Sequence, residues 1–475
     1  MSDVRYRISE MPGKKREAWV RGKRLRPAAT GGRRAASQWL SGTVAVEWMI
    51  TLYHGVSLQN HLIICDDLKT MECPSRKIVY QGPAKNVTRN RESLNSQINF
   101  RPDQLPHDPD RGYKPLLERN MRAIRYYGQK DIRLDEIPEP TCGDDDVKIA
   151  PAYVGICGTD LHEYLGGATF CPESPHPVTN EVIPVVLGHE FSGVIDEVGK
   201  NVDGLKKGQR VVVQPTVACG HCGACTSSVE NACSNGGFIG LSGGGGGLSD
   251  RLVVPKRRVI PIPDDIPLDV AATVEPLSVG WHAIKVSPFK EGDSAIVMGG
   301  GPVGLAVIQG LKALGAGTII VSEIAKQRQN FAKEFGADYV FDPRHQDIIK
   351  ETMKLCGGNG ADLAFDCAGV PASLESACKC VRPRGTVVNV AIWERAVPFN
   401  PNWVTLRERY YLGTIGYVKS DFEQVIDAIH KGKLTPAHMI TRKVKLEDTV
   451  EGGMKTLISD KDNQVKVLVE VNPQP

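Results

Sequence analysis

The stretch Ser294-Ala295-Ile296-Val297-Met298-Gly299-Gly300-Gly301-Pro302-Val303-Gly304 decides the fold. Its first five residues read as a buried strand, ended by a run of glycines. Leu305, Ile308, Leu311 and Leu314 then recur along one helical face. Residues 318–323 form a second strand pattern that ends on Glu323. A lone Gly-x-Gly-x-x-Gly carries little weight. Strand, glycines, helix and an acidic strand end in that order are the context that dinucleotide binding requires. Gly299 permits the turn, Gly301 lets a pyrophosphate approach the helix N-terminus, and Gly304 lets helix and strand pack closely, with Pro302 and Val303 completing the turn. Glu323, nineteen residues after Gly304, suits ribose hydroxyls and repels a 2′-phosphate, which favours NAD over NADP. Arg328, five residues on, can bind phosphate or stack on adenine.

The same scheme continues downstream. Residues 327–335, 347–355 and 372–380 read as helices, and 337–341, 361–366 and 385–391 as strands. Alternation of this kind means a parallel, doubly wound sheet, with ligands beyond the carboxyl ends of the strands. Loops 366–369 and 391–393 are therefore expected to border a nicotinamide. Phe422, Val425, Ile426 and Ile429 mark a late amphipathic helix, and 465–469 a last strand that rejoins the first domain.

Upstream the period changes. Residues 121–126, 132–134, 146–154, 193–199 and 209–213 read as short strands separated by Gly and Pro, a β-rich, barrel-like pattern. Strand 146–154 feeds Gly155-Ile156-Cys157-Gly158-Thr159-Asp160-Leu161-His162, which places a thiol, a hydroxyl and an imidazole within one tight segment. Gly188-His189-Glu190 and Glu275-Pro276-Leu277 supply a second imidazole and two carboxylates. A lone cysteine is more often a small buried hydrophobe, and a lone histidine a surface residue. Together, Cys157, His189 and a glutamate make an open three-ligand zinc site, with Thr159 and His162 spaced to carry a proton to water. Cys219, Cys222, Cys225 and Cys233 form a second set. Four thiolates close a tetrahedron and leave no open position, so that zinc is expected to be structural, with His221 an exposed turn residue. A disulfide pair is the competing reading, and it needs an oxidising compartment.

A chain of 475 residues exceeds one ordinary core, and 41% hydrophobic with 24% charged residues is a globular balance. The net charge of +3 is unevenly spread. Residues 1–120 hold 21 Lys+Arg against 12 Asp+Glu, and the remainder holds 37 against 43. The acidic body gives no support to nucleic acid as a partner, and no apolar run reaches the eighteen residues of a membrane span. Residues 1–120 are basic, then polar and aperiodic, and are read as a disordered extension or as translated sequence upstream of a start at Met121. Their arginines fit a mitochondrial presequence in part. The early acidic residues and the length do not, and the expected compartment is the cytoplasm.

From residue 121 to about 471 the chain resembles the zinc-containing medium-chain dehydrogenases. Gly155-Ile156-Cys157-Gly158-Thr159-Asp160-Leu161-His162-Glu163-Tyr164-Leu165, Val274-Glu275-Pro276-Leu277-Ser278-Val279, Val321-Ser322-Glu323-Ile324 and Ile415-Gly416-Tyr417-Val418 resemble the (R,R)-butanediol dehydrogenase group. Sorbitol and xylitol dehydrogenases share Glu275-Pro276-Leu277-Ser278-Val279-Gly280. The resemblance implies an α/β chain: a GroES-like β-rich catalytic domain (121–275, with a zinc lobe at 219–233, and 414–475) interrupted by a Rossmann domain (276–413). It implies a catalytic zinc on Cys157, His189 and Glu190 or Glu275, a structural zinc, and NAD. It also implies a proton path through Thr159 and the ribose to His162, and a homo-oligomer, dimer or tetramer, built through the coenzyme-sheet edge. The reaction implied interconverts a secondary alcohol and a ketone, foremost a vicinal diol and acyloin such as (R,R)-2,3-butanediol and acetoin. A polyol such as sorbitol, xylitol or L-arabinitol is the alternative. Zinc-free quinone reductases of the same fold lack both cysteine features. A nucleic-acid-binding zinc knot would carry a basic helix, where this chain has the glycine row 243–247.

Overall fold

The computed structural model describes residues 119–393 and 395–473, together with an antiparallel pairing of Glu72–Cys73 with Arg76–Lys77. The chain divides into two units, Met1–His107 and Asp108–Pro475. The second carries everything that follows. The reading of residues 1–120 as a disordered extension lies, but for those four residues and the last two, outside the described residues.

Strand β1 (Asn120–Gly128) turns back into β2 (Asp131–Pro138). β3 (Asp146–Gly155) is buried along most of its length and delivers Cys157 to the start of α1 (Gly158–Gly166). The segment read as a Gly-flanked turn is thus a helix N-terminus. The short β4 (Val185–Val186) adds to β1, making a three-stranded sheet. β5 (Glu190–Val198) and β6 (Arg210–Val213) extend from β3, and β7 (Thr216–Val217) pairs with β8 (Gly237–Phe238) around the four-cysteine lobe. β9 (Leu252–Pro255) and β10 (Val259–Pro261) complete this part.

α2 (Val274–Val286) then crosses to the second sheet, with ten of its residues buried. The expected boundary between residues 275 and 276 falls inside this helix. The second sheet comprises β11 (Ser294–Met298), β12 (Thr318–Ser322), β13 (Tyr339–Phe341), β14 (Ala361–Asp366), β15 (Val381–Asn389) and β16 (Tyr410–Gly413), all parallel. Its order is β13-β12-β11-β14-β15-β16, the doubly wound arrangement of dinucleotide-binding sheets. Ala295, Ile296 and Val297 are fully buried because helices cover both faces of a parallel sheet. α3 (Pro302–Ala313) buries Leu305, Ile308 and Leu311, each contributing about 1.5–3 kcal/mol.

After α4 (Lys419–His430) the chain returns to the first sheet through β17 (Ile440–Lys445) and β18 (Lys466–Glu470). That sheet runs β10-β6-β5-β3-β18-β17, and β9 shares with β18 the edge of β3. The end of β3 is therefore flanked by the first residues of β5 and by a strand from the far end of the chain. One core cluster joins Ala152, Val212, Ile260 and Ile262 of the first part to Trp281 and Leu305 of the second and to Phe422 of α4.

Candidate functional site

The end of β3, the start of α1, the start of β5 and the first turn of α2 meet at one place. Cys157, His189 and Glu190 each offer a ligand atom, and those atoms lie within 4.8 Å of one another. His189 and Glu190 are buried. Thr159 Oγ1 stands 3.6 Å from the Cys157 sulfur, and His162 lies exposed further along α1. Glu275 is buried nearby and accepts a hydrogen bond from the Tyr417 hydroxyl at 2.5 Å. Burial, then the Glu190 charge, push the Glu275 carboxyl up to about 7.

Three residues at the site carry no role in the sequence reading. Asp160 is fully buried, accepts the Cys157 backbone N–H at 2.9 Å, and faces His189 Nδ1 at 3.7 Å. Burial lowers the His189 pKa, but Asp160 and the Cys157 thiol outweigh it and hold the imidazole well above its ordinary range. Asp160 Oδ1 and His189 Nδ1 have no hydrogen-bond partner in this arrangement. A histidine ligating metal through its other nitrogen, with a carboxylate behind it, has this geometry. Lys466 of β18 is buried against Glu190 at 2.5 and 2.8 Å and donates to the Ile156 carbonyl. Gly155 makes that pairing possible, since a Cβ there would stand 2.1 Å from Glu190 Oε2. Tyr417, fully buried, is the third. Asp160 was open to reading, because an acid at the third position of a helix reaching back to the residue before it is an N-terminal signature. Lys466 left a fainter signal, a lone cation in an otherwise apolar strand.

The four-cysteine lobe gathers as its spacing requires. Sulfur separations are 3.5 Å (Cys219–Cys233), 3.6 Å (Cys222–Cys225), 3.7 Å (Cys222–Cys233) and 4.0 Å (Cys219–Cys225). A tetrahedral zinc with bonds near 2.3 Å would set them about 3.8 Å apart, so the set fits the ion. Backbone N–H groups of Cys225 and Ser234 bring the Cys222 thiol down to about 5, while burial pushes Cys225 up to about 12. All eleven cysteines among the described residues are free thiols. His221 is exposed. The lobe runs on into β8 and the glycine row 243–247.

At the coenzyme end, Gly299 adopts φ +96° and Gly304 sits so close that a Cβ there would stand 1.9 Å from the Gly299 carbonyl oxygen. Gly301 precedes Pro302 and Val303 at the N-terminus of α3. Glu323 lies just past β12, buried, and accepts the N–H groups of Gly300 at 2.6 Å and Ala325 at 2.7 Å. Its carboxylate is thereby fixed beside the glycine turn with lone pairs left for hydroxyl groups. Arg328 is near the same turn, donating to the Lys461 carbonyl. Loops 366–369 and 391–393 meet beyond the carboxyl ends of β14 and β15, where Gly369 packs on Ala391.

A parallel sheet with that glycine turn, joined to a β-rich unit carrying two metal-binding sets, defines a zinc-dependent, dinucleotide-linked oxidoreductase. Residues 302–431 match the zinc-binding dehydrogenase family, and residues 143–264 the alcohol dehydrogenase GroES-like domain. The chain belongs to this family of zinc-binding alcohol dehydrogenases. It is 41% identical to (R,R)-butanediol dehydrogenase of Saccharomyces cerevisiae over 379 residues, 74% of this chain and 98% of the relative. It is 42% identical to 2R,3R-butanediol dehydrogenase of Bacillus subtilis, known from an X-ray crystal structure, with a TM-score of 0.70 over 74% of this chain and all of the other. Sorbitol dehydrogenase of Bacillus subtilis stands further off, at 33% identity over 75% of this chain and 99% of the relative.

Proposed function

We propose that the protein interconverts a vicinal diol and its acyloin with NAD, foremost (R,R)-2,3-butanediol and acetoin. The observation that carries this reading is the gathering of half-buried Cys157 with buried His189 and Glu190, in a chain 41% identical to a butanediol dehydrogenase along nearly that enzyme's whole length. Cys157, His189 and Glu190 hold the catalytic zinc, with Glu275 the second carboxylate at the site. Cys219, Cys222, Cys225 and Cys233 hold the structural one. Zinc supplies positive charge that eases loss of the substrate's hydroxyl proton, and NAD supplies the hydride acceptor. The remaining tasks belong to the chain. Asp160 orients His189, and Lys466 balances Glu190. Thr159 takes the hydroxyl proton and passes it by way of the ribose to His162 and water. Gly299, Gly301, Pro302, Val303 and Gly304 seat the pyrophosphate, Glu323 takes the ribose hydroxyls, and Arg328 lies along the adenosine.

The exposed edge of the coenzyme sheet, where Tyr410 and Tyr411 of β16 face solvent, is read as the contact between copies of a homo-oligomer. Residues 121–275 and 414–475 form the catalytic domain, and 276–413 the coenzyme domain. No helix among the described residues is long and apolar enough to cross a membrane. The free thiols support a reducing compartment, the cytoplasm. Initial rates with NAD+ on the stereoisomers of 2,3-butanediol, sorbitol and xylitol test the substrate. The highest kcat/KM is expected for the (R,R) diol, and a higher value for sorbitol overturns it in favour of the polyol reading. Zinc content of Glu190→Gln and Glu275→Gln identifies the carboxylate ligand, with loss of one ion expected for the first.

A further inference from the structure

Tyr417 reaches Glu275 from a segment with no regular structure, and four hydrogen bonds hold that segment in place. Asn231, in the four-cysteine lobe two residues before Cys233, donates through Nδ2 to the Ile415 carbonyl at 2.7 Å and to His282 Nε2 at 3.2 Å. His282 of α2, its Nε2 occupied as acceptor, donates through Nδ1 to Asp421 Oδ2 at 2.8 Å. The same Asp421 oxygen accepts the Val418 N–H at 2.8 Å. The ring closes: Ile415 and Val418 are gripped on either side of Tyr417, and Asn231, His282 and Asp421 form the rest of the circuit. Gly416 lies against Asn231 and Phe238, each 3.9 Å from where its Cβ would be. Phe238 in turn stands 6.3 Å from the His189 ring. Asn231 itself is anchored, because its neighbour Glu230 pairs with buried Arg258 at 2.6 and 3.1 Å.

We infer that Asn231 is a positioning residue that makes the four-cysteine lobe part of the catalytic site: by fixing Ile415 and His282 it sets where the Tyr417 hydroxyl meets Glu275. Zinc on the four cysteines would hold the lobe, and Asn231 with it, in register, and the ring would pass that placement to a carboxylate of the other metal site. This explains why a site with no open ligand position stands in an enzyme whose chemistry is elsewhere. The inference rests on the reading of Glu275 as the second carboxylate at the catalytic metal site, which the rate of zinc release from Glu275→Gln tests separately.

The experiment compares Asn231→Leu, Tyr417→Phe and the double variant as zinc-loaded full-length protein. Two bonds from one side chain are worth roughly tenfold in an equilibrium. Release of the catalytic zinc to 1,10-phenanthroline is therefore expected to quicken about tenfold in Asn231→Leu, while the four-cysteine ion and NAD+ affinity stay as in the wild type. A matching fall in kcat with KM for NAD+ unchanged is the second readout. The double variant is expected to be no worse than Tyr417→Phe alone. Independent, multiplying effects of the two substitutions, or wild-type zinc release in Asn231→Leu, overturn the inference. Should Asn231→Leu fail to fold, Asn231→Asp keeps the volume but sets an acceptor against the Ile415 carbonyl, and is read in the same way.

Discussion

Lys466 and Glu190 are each almost fully buried, and their separation of 2.5 Å leaves each dependent on the other. Removing one partner of such a pair strands a charge in a medium that solvates it poorly, at a cost of about 3–5 kcal/mol. Lys466→Met is expected to lose that much in chemical denaturation, and adding Glu190→Gln is expected to recover most of it. A loss unchanged by the second substitution would show that Lys466 acts through packing alone. Glu275 gives a pH signature of opposite character. Its folded-state pKa of about 7 lies above the ordinary 4.5, so between those values the native state binds a proton that the unfolded chain has released. Metal-free protein is therefore expected to lose the Glu275 contribution as pH rises from 4.5 to 7, and the raised His189 carries the loss of stability on above that range. Denaturation midpoints across that range should slope down for the wild type and run flatter for Glu275→Gln. These side chains also mark where reading the chain alone falls short. Cys157 and His189 announce themselves by chemistry and spacing. Lys466 is more than three hundred residues from Cys157, and only the pairing of β18 with β3 puts it there.

Among elements, the glycine turn between β11 and α3 is the part most fully legible beforehand, since its constraints are local. A Cβ at Gly304 would press into the Gly299 carbonyl, whereas one at Gly301 would meet only the end of Arg328, at 3.7 Å. Gly304→Ala is accordingly expected to abolish NAD+ binding and to lower stability by more than the roughly 1 kcal/mol typical of a point substitution. Gly301→Ala is expected to fold normally and to lose affinity for the coenzyme only. Calorimetric titration beside thermal unfolding separates the two outcomes. β16 and β17 escaped the sequence reading. β16 is a four-residue sheet edge with two exposed tyrosines and no buried residue, so the alternation that betrays a strand is missing. α1 was hidden by glycines at both ends of Gly158–Gly166, residues that argue against a helix unless the cap formed by Asp160 is seen.

At the scale of the whole molecule, β16 ends the coenzyme sheet with one side unpaired among the described residues. Exposed sheet edges are prone to pair with another chain. If this edge joins two copies, Tyr410→Lys and Tyr411→Lys together are expected to shift the mass in light scattering toward the monomer while leaving NAD+ affinity intact. An unchanged mass would move the interface elsewhere. The layout of the two sheets was foreseeable from the switch of hydrophobic period near residue 294, but their shared core was not, because ten of the thirteen residues of α2 are buried and polar Glu275, Ser278 and His282 are among them, which blurs the apolar stripe of an amphipathic helix. The placement of Lys466 has a further consequence for how the molecule comes into being. A nascent chain on the ribosome can bring the thiol, the imidazole and the acid of the catalytic pocket together early, yet the ammonium that balances that acid follows 276 residues after it. A chain that stops short of residue 466 is expected to leave Glu190 without its cation and, after dialysis, to hold one zinc fewer than the full chain.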